Sequence, residues 1–368
     1  MRVKDICILQ NGRAFKPDDW SPNGIPIVRI QNLNDESAPF NYFHGEYDSV
    51  HEVNDGELLF SWSGTPGTSF GAFRWNRGKG VLNQHIFKVI PKIDVDKEYL
   101  RYAFNGNLNA IISKAHGGVG LQHITKKELD EIEIPIVSLA DQHEIVSVLQ
   151  SVEKVFANRQ LELAKLDELI KARFVEMFDD GYPEDSLINL CNIIDYRGKT
   201  PKKVESGLPF ITAKNIKMHQ MNMEPREYIS KDTYDKVMVR GFPKEGDVVF
   251  TTEAPLGNVC RIPHFDTEFY IGQRIVTLQT VKLIPAYLEY AVSTDAFRQK
   301  YIGKSSGSTV TGIRVRLLEQ LTIPVPPREL QLQFEAFVKQ VDKSKSVVQK
   351  ALEETQLLFD SLMQKYFG

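Results

Sequence analysis

One phrase occurs twice in this chain. "IPIVSLADQHEIV" begins at Ile134 and "IPVPPRELQLQFEAF" at Ile323, so a strand-like Ile-Pro end runs twice into a long amphipathic segment, with Pro135 and Pro324 standing 189 positions apart. Repetition at half the chain length constrains the fold more than any bulk property, because the copies must be modules of one scaffold and not turns of a solenoid. The likeness extends upstream. "GIPIVRIQNL" from Gly24 answers to "GLPFITAKNI" from Gly207, and "DGELLFSWSGTPG" from Asp55 answers to "EGDVVFTTEAPLG" from Glu245. "LNQHIFKVI" answers to "IGQRIVTLQ" around Gln84 and Gln273, and "YLRYAF" to "YLEYAV" at Tyr99 and Tyr287. The offsets drift between 183 and 190, as loop insertions in a shared scaffold produce.

Each copy opens with short β-rich segments such as "ELLFSW" and "DVVFTT", separated by Gly, Pro, Asn and Asp clusters. A helical stretch follows, then a Gly-rich loop ("AHGGVGLQH", "SSGSTVTGI"), then a helical turn leading into the Ile-Pro strand. The modules therefore read as mixed α/β and loop-rich. The segments after Ile-Pro differ in kind. Steps of 4 and 3 from Ile145 give Leu149, Val152, Phe156, Arg159, Leu163, Leu166, Ile170, Arg173 and Met177. The same steps from Phe334 give Val338, Val341, Lys345, Val348, Leu352, Thr355, Phe359, Leu362 and Tyr366. Eight of ten positions in each series are apolar, a sustained coiled-coil repeat, and Arg159, Arg173, Lys345 and Thr355 are expected to set register or snorkel at the seam. A helix from Gln142 to Phe178 would be about 55 Å long and would overshoot its own module, so pairing of the two helices is expected. The expected fold class is α+β (mixed α/β): two homologous loop-rich domains, 1–137 and 181–326, joined by long helices at 138–180 and 327–368 that form an antiparallel coiled coil with pseudo-two-fold symmetry.

Two or three domains suit 368 residues, and 42% hydrophobic with 25% charged residues suits a folded protein. No apolar run approaches the roughly 20 residues of a membrane span, and no signal-peptide pattern begins the chain, so the expected location is cytoplasmic. Cys7, Cys191 and Cys260 lack metal-type spacing, and Cys7 and Cys191, in the comparable contexts "DIC" and "NLC", read as buried packers. The net charge of −3 conceals an asymmetry: residues 1–180 hold 20 basic and 26 acidic residues, the remainder 25 and 22. Two windows lack acids: Tyr99 to Lys127, with Arg101, Lys114, Lys126 and Lys127, and Ala296 to Arg316, with Arg298, Lys300, Lys304, Arg314 and Arg316. They suggest two local faces for an anionic ligand.

Catalytic equipment is missing. "RGKT" at Arg197 ends like a P-loop, but the first glycine would fall on Ile193, and His143-Glu144 is not completed to H-E-x-x-H because position 147 is Ser147. No (Asp/Glu)-x-Lys occurs, nor an (Asn/Asp)-Pro-Pro-aromatic motif, and the eight histidines show no ligand spacing. Catalysis and resident cofactors or metals are not expected.

Modules opening with "GIPIVRIQNL" and "GLPFITAKNI", each closing with an Ile-Pro phrase and a helix ending in "RFVEMF" or "QKYF", resemble the specificity subunit of type I restriction-modification systems. The resemblance covers nearly the whole chain. Its most specific element is the Ile-Pro-x-Pro-x-x-x-Gln phrase, kept up to spacing as Ile323, Pro324, Pro326 and Gln331. The first copy has Val137 and Ser138 where the second has Pro326 and Pro327, which is expected to loosen the start of the first long helix. The resemblance implies two target recognition domains, each reading one half of a bipartite, asymmetric duplex DNA site. It also implies helices that act as a ruler and as a dock for two methyltransferase subunits, with restriction/translocase subunits joining the assembly. S-adenosylmethionine, ATP and Mg would belong to those partners. Other readings of the residues are a self-contained methyltransferase or nuclease with an unfamiliar site, and a coiled-coil adaptor that binds no DNA.

Base reading requires side chains with paired hydrogen-bonding groups, while Lys and Arg on phosphates fix register. Candidate readers occupy equivalent places: Arg29, Gln31 and Asn32 against Thr212, Lys214 and Asn215; Ser61 and Ser63 against Thr252 and Glu253; Gln84 and His85 against Gln273 and Arg274. Candidate phosphate contacts lie in the Gly-rich loops, where small residues let the backbone approach: Lys114, His116, Gln122 and His123, and Lys304, Ser305, Ser308 and Arg314.

Overall fold

A computed structural model describes residues 1–65, 68–118, 121–179, 181–196, 201–280, 282–302 and 312–368. The chain divides into two compact units, Met1–Gln160 with Lys350–Gly368, and Leu161–Gln349. Their construction is the same. In the first unit an antiparallel sheet has the order Cys7–Asn11, Ile86–Pro91, Glu57–Ser61, Gly71–Trp75; in the second the order is Cys191–Asp195, Ile275–Thr280, Val248–Thr251, Val259–Arg261. Register is kept as well, with Cys7 opposite Pro91 and Cys191 opposite Thr280. A second sheet in each unit contains one parallel pair, Ile25–Val28 with Gly80–Leu82 and Leu208–Ile211 with Tyr270–Ile271.

The apolar runs of the third strand in each order follow from burial on both faces. Leu58 and Phe60 enter a core with the helices while Leu59 enters a core with the second sheet, and Val248, Phe250 and Val249 divide in the same way. Gly24 and Gly207 begin equivalent strands with φ of 124° and 153°, and a β-carbon on either would collide with the carbonyl oxygen of Phe43 or Ile229. Only glycine meets both demands there. The three cysteines are free and buried.

The repeated phrase is a hinge built twice. Tyr99 Oη donates to the carbonyl of Pro135 at 3.0 Å, and Tyr287 Oη to that of Pro324 at 2.7 Å. Gln142 accepts from the Asp96 amide at 2.9 Å and donates to the Val137 carbonyl at 2.8 Å; Gln331 accepts from Ile284 at 2.9 Å and donates to Pro326 at 2.8 Å. Both glutamines are 1% exposed. The helices that follow run Leu139–Phe178 and Arg328–Phe367, 40 residues each, or about 60 Å. The first helix does not start loosely for want of the second copy's prolines. Ser138 Oγ accepts from the Asp141 amide at 3.3 Å and donates to its carboxylate at 2.6 Å, a cap that replaces them.

All twenty seam positions named from the periodicity are buried or half-buried. Within the first unit, Arg159 donates to the Ala351 carbonyl and to Thr355 Oγ1, and Tyr102 meets Phe359 with ring centroids 6.4 Å apart. Within the second unit, Lys345 reaches Asp167 at 2.6 Å and Phe174 packs edge-on against Phe334 at 5.3 Å. The start of one helix lies against the end of the other in each unit, an antiparallel pairing. All four polar seam residues thus bridge the helices: Arg173, which donates to Glu176 of its own helix, also lies over the Phe337 ring of the other at 5.9 Å.

Each unit's core is closed by a helix end from the other copy. Phe367 lies 5.3 Å from the Tyr99 ring, and Phe178 lies 4.8 Å from that of Tyr287. Among the described residues no helix is long and apolar enough to cross a membrane.

Candidate nucleic-acid interface

In each unit three separate segments meet at one corner, held by backbone hydrogen bonds that repeat between the copies. In the first unit Asn83 N–H donates to Val28 O at 3.0 Å, Trp62 N–H to His85 O at 3.2 Å, and Ile124 N–H to Trp62 O at 3.0 Å. In the second, Gly272 N–H donates to Ile211 O at 2.8 Å, Thr252 N–H to Arg274 O at 2.9 Å, and Ile313 N–H to Thr252 O at 2.9 Å. The ends of the parallel strands carry Arg29 or Thr212 beside Gln84 or Gln273, and the strand from the Gly-rich loop joins them: His123 stands opposite Ser63, and Gly312 is bridged to Glu253. The structure therefore gathers most candidate readers into one corner per unit.

Four of them are turned inward. Asn32 and Asn215, 2% and 1% exposed, are clamps of the turn that follows each strand. Asn32 Oδ1 accepts from the Arg29 amide at 3.1 Å, while its amide group donates to Ala38 and Pro39 carbonyls at 3.2 Å. Asn215 Oδ1 accepts from the Thr212 amide at 2.9 Å, and its amide donates to Asn222 at 2.9 Å and Pro225 at 3.1 Å. Buried and with both amide N–H groups committed to backbone carbonyls, the two asparagines hold their turns and present no donor at the surface. Ser61, fully buried, donates to the Ser63 carbonyl at 3.1 Å, and Thr252 is 4% exposed. Burial removes both from the reading surface.

The rest remain accessible to different degrees. Arg29 donates to Asn41 Oδ1 at 2.9 Å and lies 5.3 Å over the Trp20 ring, while Gln31 donates to the Pro39 carbonyl at 3.2 Å and Lys214 is exposed. Thr212 Oγ1 donates to Asn215 Oδ1 at 2.9 Å. The two corners then diverge in chemistry. In the first unit Gln84 Nε2 lies 3.2 Å from His85 Nε2, and burial holds the His85 imidazole below its ordinary pKa. Trp62, which sequence reasoning passed over between two serines, lies 5.2 Å from His85. Trp62 Nε1, His85 Nδ1 and Gln122 Oε1 are buried atoms without a hydrogen-bond partner among the described residues. The signal that would have found Trp62 is its equivalence to Thr252 in the same strand-end phrase. In the second unit the corner is ionic, with Arg274 Nε 2.9 Å from Glu253 Oε1.

Of the phosphate candidates, Lys114 ends a short helix and is exposed, and His123 is exposed with its ring 6.1 Å from that of His116. His116 is paired with Glu128, whose carboxyl is lowered to about 2 chiefly by hydrogen bonds from Thr125. Arg314 is exposed at the start of the helix Val315–Glu319. Lys304, Ser305 and Ser308 lie outside the described residues. The acid-free windows are less basic in space than in sequence: Arg101 binds Glu98 at 2.7 Å and Glu153 at 3.0 Å, and Lys300 binds Glu184 at 2.8 Å. Among the described residues no group of three or more His, Cys, Asp or Glu is placed to hold a metal.

Comparison with known proteins yields a consistent set. The sequence matches the type I restriction modification DNA specificity domain twice, over residues 1–168 and 185–355. The MjaVIII type I restriction enzyme specificity subunit of Methanocaldococcus jannaschii is 22% identical over 333 residues, spanning 82% of this chain and 76% of that protein. The EcoBI type I restriction enzyme specificity subunit of Escherichia coli is 21% identical over 409 residues, spanning 99% and 84%. The crystal structure of the S subunit of a type I restriction-modification system from M. genitalium shares the fold, with a TM-score of 0.54 at 15% identity over all of this chain and 95% of that one. Two matched modules, a duplicated fold and a duplicated corner agree: the chain belongs to the type I restriction-modification DNA specificity family, as a specificity subunit and not an enzyme.

Proposed function

We propose that this chain is the sequence-specific DNA-recognition subunit of a cytoplasmic type I restriction-modification complex, in which each unit reads one half of a bipartite, asymmetric duplex site. The observation that carries this is the corner: the same backbone hydrogen bonds built twice, lined once by Trp62, Ser63, Gln84 and His85 and once by Thr252, Glu253, Gln273 and Arg274. A shared frame with different hydrogen-bonding groups is what two different half-sites require. The proposed readers are Arg29, Gln31, Ser63, Gln84 and His85 in one unit and Thr212, Lys214, Glu253, Gln273 and Arg274 in the other. Lys114, His116, Gln122, His123 and Arg314 contact phosphates, with Lys304, Ser305 and Ser308 as further contacts.

The long helices set the unread spacer and dock two methyltransferase subunits, with restriction/translocase subunits completing the assembly. Exposed apolar side chains on both helices, such as Leu169 at 47%, Val347 at 66% and Leu357 at 69%, support a docking role. S-adenosylmethionine, ATP and Mg act in the partners. The test is to co-express the chain with its methyltransferase and map methylated adenines across a host genome. A split motif that changes in one half only when residues 1–137 are exchanged is the expected result; an unsplit motif, or none, overturns the reading. Binding of the complex to duplex DNA should also weaken roughly a hundredfold between 50 and 200 mM salt if about four phosphates are neutralised.

A further inference from the structure

We propose that Arg274, positioned by Glu253, reads a guanine in the half-site of the second unit. This rests on the DNA-recognition reading and names the chemistry of one of its corners. Glu253 Oε1 lies 2.9 Å from Nε of Arg274, the inner nitrogen of the guanidinium, and no other partner of the Arg274 side chain occurs among the described residues. The contact leaves both terminal nitrogens free. Those two donors form the fork that matches O6 and N7 of guanine in the major groove, the commonest specific contact a protein makes to a base. The side chains are 53% and 40% exposed, so the pair is open to a ligand approaching from solvent.

A surface ion pair contributes little to stability, so its effect here is to hold a flexible side chain in one orientation before a ligand arrives. Both residues are anchored in the corner's backbone: the carbonyl of Arg274 accepts from Thr252 N–H at 2.9 Å, and Glu253 is bridged to Gly312. Any β-carbon at Gly312 would stand 3.3 Å from the Thr252 carbonyl and 3.4 Å from Cβ of Glu253, so the glycine leaves the Glu253 side of the corner open. The equivalent places in the first unit hold Ser63 and His85, which offer no charged fork. At this place in the corner the charged fork is therefore a feature of the second unit alone.

The experiment compares wild-type, Arg274→Lys, Arg274→Gln and Glu253→Gln chains, each co-expressed with the methyltransferase, by mapping methylated sites and by thermal unfolding. Exchange of residues 1–137 identifies the half-site of the first unit. Arg274→Lys keeps the charge but loses the fork, so discrimination at one G·C position of the other half-site should fall roughly 5- to 150-fold, with Arg274→Gln at least as relaxed and Glu253→Gln intermediate. Unfolding temperatures should be unchanged. Relaxation at an A·T position, relaxation in the half-site of the first unit, an unaltered motif, or uniformly reduced methylation with the motif intact would each overturn the assignment. So would a loss of methylation accompanied by a lowered unfolding temperature in both Arg274 variants. A wild-type chain that yields no split motif overturns the underlying recognition reading instead.

Discussion

Gln142 and Gln331 show how much one buried side chain can hold. Each accepts from the amide at the entry to a domain helix and donates to the carbonyl just before a long helix, so a single amide group ties the two together. Replacing either by alanine leaves a buried N–H and a buried C=O unsatisfied and should cost about 2–4 kcal/mol, read as a lowered urea midpoint. The glutamine was visible in the sequence as part of the repeated phrase, but its partners were not, since Asp96 and Ile284 are far away along the chain. The asparagines carry the opposite lesson. Asn32 and Asn215 matched across the copies, and matching alone could not tell a solvent-facing reader from a turn clamp, because both demand the same amide group. For Cys7 and Cys191 the reading from context was sufficient, and Cys260 is buried as well: burial pushes all three thiols up to about 12. At pH 8 all three should resist alkylation in the native protein and react once urea unfolds it, as mass spectrometry would show.

The long helices were the most legible elements, because a heptad pattern reports directly on which face is covered. The shorter β segments showed where strands lie but not how the Gly-rich loop returns to them, a tertiary pairing with no local signal. A second set of interactions was hidden for the same reason. Arg74 and Arg261 occupy equivalent strand positions, opposite Leu58 and Val248. Arg74 binds Glu98 at 2.7 Å, and Glu98 passes the link through Arg101 to Glu153 on the first long helix. Arg261 binds Glu289 at 2.6 Å and reaches Asp342 on the second long helix at 3.4 Å, with His219 also 3.0 Å from Glu289. The helix acid is kept while the middle of the circuit changes sign from Arg101 to Glu289. Glu289 is 2% exposed, so Arg261→Ala strands a buried carboxylate and should destabilise by about 3 kcal/mol. Arg74→Ala, in a more solvated network, should cost about 1 kcal/mol. Chemical denaturation of the two variants side by side checks the asymmetry.

On the scale of the whole molecule, duplication and the place of the helices followed from the sequence, whereas the partition into units did not. Periodicity marks two helices as separate segments; packing assigns the last nineteen residues, 350–368, to the first unit. Removing them takes Phe359, Leu362, Met363, Tyr366 and Phe367 from the core around Tyr99 and Tyr102. Hydrogen exchange should then accelerate in 97–113 and leave 285–302 protected. The aromatic ends explain why: each is a plug, and Tyr99 or Tyr287 is its socket. Plugs and sockets of one pattern set a common standard for attachment: any module seated on either helix end must bring a tyrosine to meet the terminal phenylalanine and a helix entry that the buried glutamine can tie.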